Sequence, residues 1–422
     1  MIKSQDSRQF IQAHRMDDVR TLMLQADRFP KVDMRSVCVQ IAAWQRARTK
    51  LPSWAACSDI IFPEHLPMEQ CSSELTANYK RQVARAKDEE LRKLWTFDTR
   101  HSTANICDLT GGFGVDATML AQGNVHLTFV ERNEDLCELA RHNLPLMGVE
   151  DVEIMCGEAE KVLPTLSHQN LIYLDPARRD QYGARIVALT DCSPNVEQMQ
   201  DLLLARADCV MVKLSPMLDI ADALRRLRHV REVHVVSVEG ECKEILLLLS
   251  ATSTLQSEQQ PIICVNLSER IARQTFSFTR EEEQSAVCPF ATEVQNYIYE
   301  PNASLLKAGA LRCVAERFGL RKLHPNSHLY TSEMFVEDFP GRSFEVVGSS
   351  DFNKKNRERL LNGLRQTNLT VRNFPLTVVE LRRRLKLSEG GSDYLFATTL
   401  TGEKHILVRC RKLFQVGVTV KP

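Results

Sequence analysis

Apolar positions in residues 1–95 recur at helical spacing. In VDMRSVCVQIAAWQRA, Val37, Ile41 and Trp44 fall on one stripe. In SSELTANYKRQVARAKDEELRKLW, Leu75, Tyr79 and Val83 do the same, with Ser72 or Ser73 placed to cap the helix. Pro52, Pro63 and Pro67 break the path between these helices. From about residue 104 the pattern changes. Short apolar runs (NICDL, VHLTFVE, VEIMCG, NLIYLDP, DCVMVKLS) are each followed by a helical stretch. This alternation predicts a parallel sheet with helices on both faces. It stops at REVHVVSVE and KEILLLLS, which only GEC separates. That gap has no room for a crossover helix, so the two strands should pair antiparallel.

Beyond a polar linker, ATSTLQSEQQP (251–261), residues 262–340 mix short strands with one predicted helix, NASLLKAGALRCVAERFG, capped by Asn302. From Gly341 the order reads strand, helix, strand, helix, strand, strand, a small α+β module of 341–422. The chain thus divides into 1–100, 101–251, 262–340 and 341–422, with no internal repeat.

At 422 residues and 43% hydrophobic, the chain has room for two or three domains with real cores. No apolar run reaches the roughly 20 residues of a membrane span. The opening MIKSQDSRQFIQAHR lacks the apolar region of a secretory signal. Thirteen cysteines without a C-x-x-C pair argue against a zinc knuckle and fit a reducing cytoplasm. No metal site is expected. Net charge is zero but uneven. Residues 341–422 hold 16 Lys/Arg against 7 Asp/Glu, while 101–340 hold 21 against 34. A basic end on an acidic middle points to a polyanionic partner.

The chemistry centres on ICDLTGGFGVDATML (106–120). Asp108 ends a strand, Gly111, Gly112 and Gly114 follow, and a helix starts near Val115. Gly112-x-Gly114-x-x-Ala117 fits a dinucleotide fingerprint. Asp108 on the ligand side, however, would repel a pyrophosphate and suits a sulfonium and its ammonium group. Glu131, ending the second strand, can accept ribose hydroxyls from either cofactor. Asp175 ends the fourth strand, at the edge where open α/β sheets place ligands. Pro176 cannot continue a ladder and exposes its carbonyl. An acid and a free carbonyl there can accept both hydrogens of an exocyclic amine, which aims the nitrogen lone pair.

Over 104–250 the chain resembles class I S-adenosylmethionine-dependent methyltransferases. DLTGGFG looks like their first motif, with Thr110 in place of a glycine. ERN (Glu131, Arg132, Asn133) matches the acidic motif. CGEA looks like the third, which implies that Glu158 or the adjacent backbone of Gly157 and Ala159 meets the adenine, and DPAR looks like the fourth. The resemblance implies a Rossmann-like seven-stranded sheet whose extra antiparallel strand comes from the terminal hairpin. The spacing that ends at Asp116 is also similar to a bacterial small-subunit rRNA guanine-N2 methyltransferase. Methyltransferases acting on base amines carry Asp/Asn-Pro-Pro and an aromatic. Here Ala177 and Arg178 stand instead, and Arg178 with Arg179 is suited to stack on a base or hold a phosphate. Uridine-C5 methyltransferases carry a similar Asp-Pro-Pro-Arg but need a cysteine nucleophile and a base. SSELTANYK lies where the family covers its cofactor, which makes Thr76, Tyr79 and Lys80 candidates. Lys213–Pro216 ends the fifth strand at the substrate mouth.

The C-terminal end resembles the THUMP-like domain of a bacterial methyltransferase group in which a ferredoxin-like piece precedes it. By that analogy, Lys354, Lys355, Arg382, Arg383 and Arg384 would contact RNA. The expectation is an RNA base methyltransferase acting on tRNA or rRNA. Its rivals are a protein or small-molecule methyltransferase and a non-catalytic RNA-binding protein.

Overall fold

The structure, a computed structural model, describes residues 5–85, 103–178 and 189–413. They divide into two compact units, 1–231 with 246–254, and 232–245 with 255–422. The division runs through one β-hairpin.

The first unit opens with six helices: α1 Gln5–His14, α2 Val19–Leu24, α3 Met34–Lys50, α4 Pro52–Ala56, α5 His65–Gln70 and α6 Glu74–Ala84. Asp33 starts α3 by accepting the Ser36 N–H, and the buried stripe Val37, Cys38, Ile41 packs on Phe10 and Leu22. Ser73, rather than Ser72, caps α6. The strands are β1 Ala104–Asp108, β2 Val125–Glu131, β3 Val152–Cys156, β4 Gln169–Leu174 and β5 Ala207–Leu214, then the hairpin β6 Val230–Val238 and β7 Glu241–Leu249. The helices between them are α7 Val115–Leu120, α8 Glu134–Leu146, α9 Ala159–Val162, α10 Val196–Arg206 and α11 Ile220–Arg226.

Within the first unit the strand order is β3-β2-β1-β4-β5, followed by β7, of which Leu246–Leu249 belong to this unit. The pairs β1–β2, β1–β4, β2–β3 and β4–β5 are parallel. Order reverses between β1 and β4, so a crevice opens at their carboxyl ends, where Asp108 and Asp175 stand. The helices pack onto this sheet through the glycine loop itself. Phe113 is buried among Trp54, Phe62, Leu51 and Met68, its ring centroid 4.6 Å from that of Trp54. Asn143 of α8 adds a two-way bond to the Ile61 backbone, at 3.1 and 2.8 Å.

In the second unit β8 Ile262–Leu267 runs parallel to β6, and β9 Gln274–Phe278 runs antiparallel to β8. Residues 262–278 therefore extend this sheet, although the sequence pattern groups them with 262–340. A second sheet has the order β11-β12-β10-β13-β16-β15-β14. Its strands are β10 Tyr297–Pro301, β11 Arg321–Lys322, β12 Tyr330–Ser332, β13 Gly341–Asp351, β14 Asn368–Arg372, β15 Asp393–Leu400 and β16 Lys404–Leu413. The single helix expected at 302–319 is two, α13 Ala303–Ala308 and α14 Arg312–Arg317, after α12 Arg280–Ser285. Gly309 at φ +80° turns the chain out of α13. Ile298, Phe344, Phe396 and Val408 form one core of this unit. Leu369, Leu381, Leu395 and Leu407 form another, with α15 Lys354–Leu360 and α16 Val378–Leu385 contributing Leu360 and Leu385.

This sheet curls. Four strand steps separate β10 from β14, about 19 Å on a flat sheet. Yet Arg372 of β14 donates to Glu300 of β10 at 2.7 Å.

Candidate active site

The glycine loop is shaped by what lies behind it. A Cβ on Gly111 would sit 2.2 Å from the Phe129 ring, so no side chain fits there. Gly112 and Gly114 hold φ of +54° and +92°, the left-handed region that favours glycine. The Gly112 N–H donates to Glu131 Oε2 and the Asn133 N–H to Glu131 Oε1, each at 2.8 Å. Glu131 thus pins the loop to the end of β2. Asp108 is buried and accepts the Thr110 N–H at 2.9 Å. Burial pushes its carboxyl well above the usual carboxylate range, and the neighbouring Asp116, Asp175 and Glu131 push it further.

Thr110 accounts for its own departure from glycine. Its hydroxyl accepts the Asp175 backbone N–H at 2.6 Å, which ties the first-motif loop to the end of β4. A glycine there could not do this.

Asp116 lies in the first turn of α7 and is engaged by the protein. Ser72 and Tyr173 donate hydroxyls to its Oδ2 at 2.7 and 2.8 Å, and Lys80 Nζ stands 3.1 Å from Oδ1. The Lys80 side chain has no solvent exposure. Burial alone would raise the Asp116 pKa, but Lys80 and Lys213, with the two hydroxyls, hold it below the usual range. Lys80 and Ser72 come from the N-terminal helical region, so that region completes the sheet's carboxylate cluster. The role of Tyr173 has no signal in the sequence. A lysine at i+4 from Thr76, on the buried face of α6, is the signal for Lys80.

At the end of β4, Lys213 Nζ is 2.5 Å from Asp175 Oδ2. Among the described residues no hydrogen bond reaches Asp175 Oδ1. Pro176 is buried. Ala177–Arg178 then pairs with Cys192–Ser193 in a two-residue ladder. The Arg178 side chain and Arg179 lie outside what is described.

At the end of β3, the Gly157 N–H donates to the Glu131 carbonyl at 2.9 Å, and Ala159 is buried. Glu158 is exposed and pairs with Lys161 at 2.7 Å. Asn133 caps α8, accepting the Leu136 N–H at 3.2 Å, and Arg132 is exposed. In the second unit Lys354, Lys355, Arg383 and Arg384 are exposed, whereas Arg382 is half-buried and donates to the Thr367 carbonyl at 3.1 Å.

Four carboxylates, Asp108, Asp116, Glu131 and Asp175, thus surround a loop whose backbone admits no Cβ at Gly111. This donor set suits a cationic ligand approaching the main chain and suits a pyrophosphate poorly. Asp108, Glu131 and the backbone of Gly112 and Gly114 come together at this loop, as the sequence motifs lead one to expect.

Residues 297–340 match a ferredoxin-like domain model, and residues 341–412 match a THUMP domain-like model. A crystal structure described as a candidate methyltransferase from Porphyromonas gingivalis W83 is 36% identical. It superposes with a TM-score of 0.84, covering 98% of this chain and 100% of that one. An uncharacterised S-adenosylmethionine-dependent methyltransferase of Mycobacterium tuberculosis is 25% identical over 284 residues, 67% of this chain and 74% of that protein. An uncharacterised RNA methyltransferase of Protochlamydia amoebophila is 31% identical over 91 residues, 21% of each chain. The chain belongs to the S-adenosylmethionine-dependent methyltransferases that carry a ferredoxin-like and a THUMP-like domain at the C-terminus.

Proposed function

We propose that this methyltransferase modifies an exocyclic amine of an RNA base in tRNA or rRNA, with guanine N2 as the acceptor. The observation that carries this reading is the fixed Asp175 carboxylate at the end of β4. Thr110 holds the Asp175 backbone and Lys213 takes Oδ2, which leaves Oδ1 for a substrate N–H. Together with the Pro176 carbonyl, it accepts the two amine hydrogens and turns the nitrogen lone pair toward the donor. The cofactor supplies an electrophilic methyl group on sulfur. Asp175 is also the acceptor at hand for the proton that the methylated amine must lose. Desolvation by the buried Pro176 and the helices over the loop strengthens these interactions.

RNA as substrate is supported by the exposed basic residues of the THUMP-like domain and by the RNA methyltransferase relative. There Arg357 and Arg384, from two different helices, both lie over the Phe352 ring, at 5.5 and 5.2 Å. The deciding experiment is mass spectrometry of nucleosides from tRNA and rRNA of a strain lacking the gene. Loss of N2-methylguanosine at one position supports the reading. An unchanged set of methylated nucleosides overturns it in favour of a protein or small-molecule acceptor.

Cofactor affinity should depend on pH through Asp108. A sulfonium cation favours the ionised carboxylate, yet burial raises the pKa of Asp108 in the free protein. Acidification below that raised pKa therefore weakens S-adenosylmethionine binding, by up to about tenfold per pH unit. The proton meanwhile stabilises the free fold. Calorimetric titration with S-adenosylmethionine across pH checks the sign. Affinity that is flat or rises on acidification would remove Asp108 from the cation's contacts.

A further inference from the structure

The seam between the ferredoxin-like and THUMP-like regions holds an ion cluster that the methyl-transfer site does not use. Glu300 of β10 is nearly buried, its side chain 4% exposed. Its Oε2 accepts Arg342 Nε at 2.8 Å and is also contacted by Arg342 Nη2. Its Oε1 accepts Arg372 Nη2 at 2.7 Å. One carboxylate therefore orients two guanidiniums, from β13 and β14, and both stay about two-fifths exposed, at 43% and 42%.

A seam lock needs only one arginine per carboxylate, so the second leaves a surplus positive charge. Lys322 is buried and donates to the Pro325 carbonyl at 2.8 Å. His328 is held at φ +52°, and its buried Nδ1 has no hydrogen-bond partner among the described residues. Burial first, then Lys322 and Arg372, push the His328 pKa down. Arg372 Nη1 also donates to the Val371 carbonyl at 3.2 Å; the exposed guanidinium edges that remain, pre-oriented from behind by a buried acid, present directed donors to a phosphate.

We propose that Arg342 and Arg372, set by Glu300, take a backbone phosphate of the RNA substrate. This rests on the RNA reading above and adds to it a docking point on the curled sheet, apart from the basic helices α15 and α16.

The test is fluorescence anisotropy of the full chain with labelled unfractionated tRNA and labelled rRNA fragments over a range of KCl. The variant Glu300→Gln with Arg372→Gln removes one negative and one positive charge, so net charge is unchanged. It should bind the RNA that the wild type prefers about tenfold more weakly, and its log K against log[KCl] slope should be shallower by roughly 0.7–0.9. Arg372→Lys keeps the ion pair and loses only the fork. It should weaken binding several-fold at unchanged slope, and it decides the matter if the double variant does not fold. Wild-type affinity in a folded variant overturns the phosphate site and leaves the RNA reading intact. Failure of the wild type to bind either RNA overturns both.

Discussion

Lys80→Met should destabilise the first unit by about 3–5 kcal/mol, because it leaves the buried Asp116 carboxylate without its paired cation, Lys213 acting on it only from farther off. Lys80 is fully buried and 3.1 Å from Asp116, so water cannot take its place at that oxygen. The remaining donors, Ser72 and Tyr173, are neutral and both reach Oδ2. Asp116→Asn added to Lys80→Met should recover part of the loss, since the amide carries no charge and can still accept from both hydroxyls. Urea unfolding of the single and double variants measures this. A Lys80→Met protein within about 1 kcal/mol of wild type would mean that the pair is not the lock that its burial implies.

Asp175→Ala should lower kcat for methyl transfer by about 10²–10³, in line with the loss of one preorganised polar contact to a reacting group. S-adenosylmethionine affinity should change far less, because the proposed role sets Asp175 against the amine and not the cofactor. Asp175→Asn should fall between, since its carbonyl still accepts an N–H while Lys213 loses its counter-charge. Transfer of labelled methyl groups to RNA from a strain lacking the gene, together with cofactor titration, separates the two effects. An Asp175→Ala enzyme with wild-type kcat would exclude Asp175 from the reaction.

The parallel sheet, its closing hairpin and the glycine loop were legible in the chain because each depends on local periodicity. Apolar runs of five or six residues alternate with helical stripes, and only that alternation builds β1 to β5. What the pattern could not carry was partnership across distance. Nothing near Thr110 announces that its hydroxyl meets the Asp175 N–H, 65 residues on. Nothing near Gly111 shows that Phe129 fills the space behind it. Ser72 and Ser73 look alike as caps, yet one caps α6 and its neighbour donates to Asp116. The residues of β8 and β9 read as generic strands, and their pairing with β6 decides where they belong. Charge counting likewise blurs faces. Arg409 is bound to Asp393 at 2.7 Å and Arg382 is half-buried, while Lys354 and Lys355 point to water.

Phe113 gives the N-terminal helices a standing that their position in the chain does not suggest. It belongs to the glycine loop, but its ring is socketed between Trp54 and Phe62. A loop anchored in that way cannot shift without repacking α4, and α4 cannot loosen without freeing the loop. The place where helical periodicity gives way to alternating strands, near residue 100, is therefore a border in sequence and not in cooperativity. A fragment cut there would retain Asp108, Gly111, Gly112 and Glu131 and lose the wall against which their loop is wedged.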